Sequence, residues 1–167
     1  RATIATTKMM QAQVAGQTRA RDSSRFLASA AVAGTRKFTC FIATHDSVDA
    51  LSFSDETIVL YQGRIMEKGP SADVYKYPLN KYVASLFGEV NELKLSQLMP
   101  IEGEDDIVLL YPHQLKLDPS GSIKAIVKES FFKGSRFLIK AVFDRRVIFF
   151  EHETALEFNQ EVILRII

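Results

Sequence analysis

An apolar run that ends in a histidine constrains the fold of this chain most. Residues 38–43 are almost all apolar, as in a strand that is buried on both faces of a parallel sheet. His45 follows the run, and either Asp46 or Ser47 can cap a helix that begins there. A strand that ends in a titratable side chain often places it in the ligand crevice of an α/β sheet. The pattern therefore predicts an α/β element with His45 at a binding edge.

Turn signals divide the residues after this helix into a hairpin and two short helices. Residues 57–61 and 64–67 flank Gln62-Gly63, a pair suited to a two-residue hairpin turn. Helices are predicted after the hairpin over residues 71–75 and 81–87, because cap and breaker residues bound both segments.

The last third of the chain changes from mixed structure to an all-β pattern. Residues 89–106 are acidic and contain Pro100 and Gly103, as expected of a linker. Beyond them, Ile123, Ala125, Val127 and Phe131 alternate with mostly polar neighbours, the period of a half-buried strand. Five or six short strands in about sixty residues predict a small antiparallel barrel. The predicted strands cover residues 107–111, 123–131, 137–143, 147–150 and 161–166.

The N-terminal segment has a different composition from the rest. The whole chain carries a net charge of +1, but residues 1–37 hold seven basic residues against Asp22 alone. This asymmetry marks a boundary near residue 37. Its composition also fits an organelle transit peptide or a basic nucleic-acid-binding arm, but a poorly matched basic leader is favoured. Propensity alone allows a short helix over residues 7–14 or 25–32.

At this point several motifs, in order and at the right spacing, resemble the end of the ATPase domain of an ATP-binding cassette (ABC) transporter. They are Ala43-Thr44-His45-Asp46, Asp49-Ala50-Leu51, Ser54-Asp55 and Val59-Leu60-Tyr61-Gln62-Gly63-Arg64-Ile65. The continuation resembles the helical tail of importer-type subunits: Gly69-Pro70-Ser71-Ala72-Asp73-Val74-Tyr75, Pro78 and Val83-Ala84-Ser85-Leu86-Phe87-Gly88. The C-terminal part is similar to the TOBE domain, an oligonucleotide-binding-fold (OB) module of such importers, through Tyr111-Pro112-His113-Gln114-Leu115 and Glu161-Val162-Ile163-Leu164-Arg165-Ile166. Tyr111 and His113 stand where that family more often has Arg and Glu.

The resemblance implies an α/β remnant of the ATPase domain at residues 38–88, an acidic linker at 89–106 and an OB-like TOBE barrel at 107–167. It implies that His45 is the catalytic switch residue that contacts the γ-phosphate of ATP. The intact family uses ATP and Mg2+ to drive solute uptake. Its members bind membrane permease subunits, dimerise, and lie in the cytoplasm, peripheral on the inner face of the cell membrane.

The resemblance also identifies motifs that the chain lacks. No G-x-x-x-x-G-K-[ST] phosphate loop, LSGGQ-type signature or Asp-Glu strand end occurs in the sequence. We therefore expect the chain alone to bind ATP weakly and to be inactive. Either the N-terminal two-thirds of the domain were lost, or residues 1–34 belong to a different reading of the gene. The rival interpretation is a non-enzymatic TOBE-type module for dimerisation or small-ligand binding.

Other chemistry is not favoured by the sequence. His113 and His152 have no second His or Cys at ligand spacing, so no metal site is expected. Cys40 lies in a predicted buried strand and is expected to pack rather than react. The Phe-rich strands predict core packing more than a base-stacking platform, and no nucleic-acid partner is expected. No apolar stretch is long enough to span a bilayer.

Overall fold

The computed structural model describes residues 2–12, 36–99 and 105–167. Contacts group the chain into two compact units, residues 1–73 and residues 74–167. The described residues are rich in β-strand, with three short α-helices among them. The helix considered for residues 25–32 lies outside the described residues, as do residues 100–104 of the predicted linker.

The first unit contains a four-stranded antiparallel sheet in the order β2-β1-β3-β4. Its strands are β1 (Ala2–Ala12), β2 (Arg36–Thr44), β3 (Glu56–Tyr61) and β4 (Arg64–Pro70). Helix α1 (Ser47–Phe53) connects β2 to β3, and α2 (Ser71–Lys76) follows β4. In the central strand, Ile4 lies between Thr44 of β2 and Val59 of β3.

The prediction of a parallel sheet around the histidine strand was wrong. β2 lies at the end of the strand order and pairs with β1 in the antiparallel direction. Phe41 is 71% exposed and Cys40 is half-buried, so the apolar run is not buried on both faces. An apolar run fits an edge strand or a central strand equally well, because periodicity does not report the direction of pairing.

The N-terminal segment contains a strand where a leader was predicted. β1 covers Ala2–Ala12 and forms backbone ladders with two neighbours. Residues 7–12 of the helix predicted over residues 7–14 are therefore strand, and its last two residues lie outside the described part of the chain. Many residues of β1 are β-branched or small, and helix propensity is a weak prior that strand pairing overrides.

The local features of the first unit are confirmed. Helix α1 begins where it was predicted, and β3 and β4 form a hairpin closed by Tyr61 and Arg64. Gln62 and Gly63 have φ values of 49° and 75°, the left-handed conformation that a two-residue turn of this kind requires.

The second unit contains a five-stranded and a two-stranded antiparallel sheet. The order of the larger sheet is β10-β9-β8-β11-β7, and β5 pairs with β6. Helix α3 (Lys81–Ser85) precedes both sheets. The strands are β5 (Asn91–Lys94), β6 (Ile107–Leu110), β7 (Leu115–Leu117), β8 (Ile123–Phe132), β9 (Phe137–Phe143), β10 (Arg146–His152) and β11 (Glu161–Ile166).

The core of the second unit lies on one face of the larger sheet. Ile123, Ala125 and Val127 are buried, as their alternation predicts. Phe131, predicted to continue this face, is 41% exposed. The register of β8 against β9 shifts between Val127 and Glu129, and such a bulge moves every following side chain to the opposite face.

The predicted linker is only partly irregular. β5 lies within residues 89–106, and Leu93 and Leu98 are buried in the core of the second unit. Their large apolar side chains supply the burial, while Glu89, Asp105 and Asp106 are exposed.

Candidate functional site

His45 lies in the tight connection between β2 and α1, with an exposed side chain. The backbone N–H of Asp46 donates to Thr44 Oγ1 at 3.0 Å, and Asp46 Oδ1 accepts from the N–H of Val48 at 2.8 Å. Asp46 therefore caps α1, as predicted. The exposed imidazole lies on this hydrogen-bonded turn, and its ring N–H can donate a hydrogen bond to a phosphoryl oxygen.

Three hydroxyl groups hold the other end of α1, and we call Ser54, Thr57 and Ser71 the hydroxyl cluster. Ser71 Oγ lies 2.7 Å from Ser54 Oγ and 2.8 Å from Thr57 Oγ1, and both Ser71 and Thr57 are buried. Ser54 also donates to the carbonyl oxygen of Ala50 in α1. The cluster thus ties the end of α1 to β3 and to the start of α2.

The hydroxyl cluster was not predicted from the sequence. Ser54 and Ser71 are 17 residues apart, and only the β3–β4 hairpin between them brings them into contact. A pair of serines flanking a predicted hairpin is the one signal that was available.

A separate aromatic cluster, Tyr75, Tyr111 and His113, lies in the second unit. The ring planes are within 10° of parallel, and the centroid distances are 4.6 Å (Tyr75–Tyr111), 5.8 Å (Tyr111–His113) and 6.3 Å (Tyr75–His113). Tyr75 and Tyr111 are therefore stacked face to face, and the His113 ring lies parallel to both at a larger offset. Phe87 meets Tyr75 edge-on at 5.7 Å, a favourable aromatic arrangement.

The aromatic cluster forms a wall of a cleft of about 350 Å³. A neighbouring cavity of about 290 Å³ shares His113, Arg136 and Glu151 with it. Burial raises the pKa of the Tyr75 hydroxyl, and the negative charge of Glu151 raises it further. Tyr75 consequently stays a neutral hydrogen-bonding group at physiological pH.

The structure brings the two C-terminal histidines to one cavity. His113 and His152 both line the smaller space, although the sequence separates them widely. His152 Nδ1 lies 3.2 Å from the backbone nitrogen of Thr154, which donates to it. Within residues 2–12, 36–99 and 105–167, no group of three or more His, Cys, Asp or Glu residues is arranged to hold a metal ion.

The described helices include none that is both long and apolar enough to cross a membrane. No known family model matches the chain.

Curated relatives define the class of protein that the chain resembles: ATP-binding subunits of import systems. The resemblance to importer ATP-binding subunits that the motifs indicated is therefore confirmed.

Two relatives of different kinds illustrate this similarity. The chain is 32% identical, over 66% of its length, to the sulfate/thiosulfate import ATP-binding protein CysA of Mycobacterium tuberculosis, strain H37Rv. It is 26% identical, over 75% of its length, to the spermidine/putrescine import ATP-binding protein PotA of Malacoplasma penetrans. These alignments span only 28% and 25% of the two relatives.

A third relative shows the highest identity of the three over a shorter stretch. The CysA protein of Photorhabdus laumondii is 39% identical over 67 residues, which are 38% of this chain and 18% of that protein. The alignments thus span between 18% and 28% of the length of these three relatives.

Proposed function

We propose that the chain is the C-terminal portion of an importer ATP-binding subunit, which couples ATP hydrolysis to solute uptake across a membrane. The observation that carries the proposal is the similarity to import ATP-binding proteins over 66% and 75% of the chain. The exposed His45, held between a strand end and a capped helix, supports the role of phosphate sensor that the motif implies.

The residues of this chain fit only one part of nucleotide chemistry. His45 can donate a hydrogen bond to a phosphoryl oxygen and stabilise negative charge there. The sequence has no phosphate-loop pattern, and the described residues include no carboxylate cluster suited to Mg2+. The residues that the structure describes therefore do not form a complete site for ATP and Mg2+, and we derive no hydrolytic step from them.

Partners and location follow from the proposed function. The subunit would bind membrane permease subunits on the inner face of the cell membrane and dimerise through residues 107–167, the proposed TOBE-like domain. One relative's name specifies sulfate, an anion, and another's specifies polyamines, which are cations. Because these two names specify solutes of opposite charge, we assign no solute to this chain.

The proposed role of His45 is tested by following the three histidine ring signals in an NMR titration of the chain with Mg-ATP. We expect weak binding that shifts the His45 signal and leaves His113 and His152 in place. His45→Ala should abolish the binding, while the matched variant His152→Ala should retain it. A His45 signal that does not move at millimolar nucleotide would overturn the sensor role.

The proposed membrane partnership is tested by cross-linking the tagged chain in its source cells. We expect it to sediment with the membrane fraction and to cross-link to an integral membrane protein. Recovery in the soluble fraction, without such a cross-link, would contradict the partnership.

A further inference from the structure

Hydrogen bonds connect the hydroxyl cluster to the turn that carries His45. Ser54 directly follows α1 and donates to the carbonyl oxygen of Ala50 within that helix. The N–H of Ala50 donates to the carbonyl oxygen of Asp46 at 3.2 Å. Asp46 directly follows His45, so only this short helix separates the hydroxyl cluster from the imidazole.

The protons of the hydroxyl cluster can be assigned, because each hydroxyl group has one proton to donate and a carbonyl oxygen can only accept. Ser54 uses its proton on the Ala50 carbonyl oxygen, so Ser71 must be the donor in its 2.7 Å contact with Ser54. Ser71 then has no proton left, and Thr57 must donate to it across 2.8 Å. The hydroxyl groups therefore form one directed chain from Thr57 through Ser71 and Ser54 to α1, and the hydrogen bonds of such a chain strengthen one another.

The directed chain begins in the interior of the first unit. Thr57 lies in β3 and Ser71 begins α2, and both are buried. The N–H of Ser71 also donates to the carbonyl oxygen of Asp55 at 3.2 Å. Water has little access to the two buried hydroxyl groups, so breaking the chain leaves a buried polar group unsatisfied. The hydroxyl cluster therefore provides a fixed attachment point for the end of α1.

Helix α1 is too short to hold the His45 turn in place by itself. It has seven residues, fewer than the roughly 12–15 that an isolated helix needs to be stable in water. Val48 and Phe53 are exposed, whereas Ala50 is fully buried. The placement of the helix therefore depends strongly on its end contacts, which are the Asp46 cap at its start and Ser54 at its end.

We propose that the hydroxyl cluster positions His45 for contact with a phosphoryl oxygen, with Ser54 as the positioning residue that joins the buried hydroxyl groups to α1. The inference rests on the proposed role of His45 as phosphate sensor, and it adds residues that act through the helix and not by touching the nucleotide. A hydrogen bond weakens steeply as its distance and angle depart from the optimum. Displacement of α1 would therefore weaken the phosphate contact while the imidazole remained present.

The test compares Ser54→Ala with Ser54→Thr, which keeps a hydroxyl group, and with the matched control Ser52→Ala, which changes an exposed serine of α1. The His45 ring signal is followed by NMR, first without nucleotide and then during titration with Mg-ATP. We expect Ser54→Ala to move the nucleotide-free His45 signal and to weaken Mg-ATP binding about three- to tenfold, because the charge-assisted hydrogen bond is misaligned and not removed. Ser54→Thr and Ser52→Ala should match the unchanged chain in both measurements.

Ser71→Ala tests the buried part of the directed chain. It removes the donor to Ser54, but Thr57 can then donate to Ser54 across 3.3 Å. We therefore expect the His45 signal and the Mg-ATP affinity to change in the same direction as in Ser54→Ala, and by less.

Two results would overturn the proposal. In the first, Ser54→Ala lowers the urea midpoint but leaves the nucleotide-free His45 signal and the Mg-ATP affinity unchanged, so the hydroxyl cluster is only structural. In the second, Ser54→Thr loses as much affinity as Ser54→Ala, so the hydroxyl group is not what matters. If Mg-ATP does not move the His45 signal of the unchanged chain, the phosphate-sensor role itself fails. The nucleotide-free signal still decides whether Ser54 positions His45, so the two failures are distinguishable.

Discussion

Replacing Asn91 with leucine removes a side chain that completes the edge of the larger sheet. Asn91 is 1% exposed and lies in β5, opposite Leu110 of β6. Its Nδ2 donates to the carbonyl oxygen of Phe149 at 2.7 Å, and its Oδ1 accepts from the N–H of Phe149 at 2.7 Å. β10 ends the strand order of the five-stranded sheet, so one amide here takes the place of a neighbouring strand.

The expected cost follows from these two bonds. Each contributes about 1 kcal/mol net, and a donor or acceptor left unsatisfied in a buried site costs about 1–3 kcal/mol. Phe149 is half-buried, so water can hydrogen-bond to its backbone groups and offset part of the lost stability. We therefore expect Asn91→Leu to lower the free energy of unfolding by about 2–4 kcal/mol, a fall in Tm of about 10–25 °C for a unit of this size.

The assay combines urea unfolding with native-state hydrogen exchange at the Phe149 amide. Asn80→Ala is the control, because Asn80 Oδ1 accepts a single bond from Val83 N–H at the start of α3. Loss of such a cap costs about 1 kcal/mol. Asn91→Leu should lower the free energy of unfolding clearly more than Asn80→Ala does. It should also remove the exchange protection of the Phe149 amide, whereas Asn80→Ala should leave that protection unchanged.

The pH dependence of the stability of Asn91→Asp tests the same pair of hydrogen bonds between Asn91 and Phe149. An ionised carboxylate can accept from the Phe149 N–H but repels the Phe149 carbonyl oxygen, so burial raises the pKa of the new carboxyl group in the folded state. Protonation restores a donor, and the variant should regain stability as the pH falls through that raised value. Asn91→Leu should show no such recovery. If Asn91→Leu lowers the free energy of unfolding by less than about 1 kcal/mol and the Phe149 amide stays protected from exchange, the hydrogen bonds between Asn91 and Phe149 do not stabilise the β10 edge of the sheet.

Three further predictions concern turns of the second unit. A Cβ at Gly121 would lie 2.1 Å from the carbonyl oxygen of Leu164, so Gly121→Ala should lower the urea midpoint by the equivalent of about 1–3 kcal/mol; an unchanged midpoint would contradict this contact. Arg145 has φ 62°, and Arg145→Gly should stabilise the chain by about 0.5 kcal/mol in the same assay by relieving that conformation; destabilisation would show that the arginine side chain matters there. Hydrogen bonds from Ser120 lower the pKa of Asp118 below its usual value of 3.8. The ionised Asp118 therefore contributes to folding stability above about pH 4, and this contribution is lost as the pH falls through the lowered pKa. Asp118→Asn should flatten the acid side of the stability–pH curve, and an unaltered acid transition would refute the assignment.

Features set by neighbouring residues were predictable here. The cap of α1 depends on Asp46 and a backbone N–H two residues later. The β3–β4 hairpin depends on two adjacent residues that accept positive φ. The turn at Asp118 closes within four residues through the N–H of Gly121. Short-range steric and hydrogen-bonding rules decide each of these, so the order of residues suffices.

The motifs around His45 could also be recognised from the sequence, because their order and spacing are properties of the linear chain. They indicated importer ATP-binding subunits, which the curated relatives confirm. The catalytic role of His45 stays a prediction, since it depends on a nucleotide and on neighbouring groups that this chain does not supply.

Long-range pairing decided the rest. The same apolar run suits a central parallel strand or an antiparallel edge, and only its partner β1 settled which it became. One bulge in β8 turned Phe131 towards solvent. Asn91 and Phe149 are 58 residues apart, and Tyr75 meets His113 only after the second unit has folded. Such contacts depend on how distant segments pack in three dimensions, and neither periodicity nor local propensity encodes that arrangement.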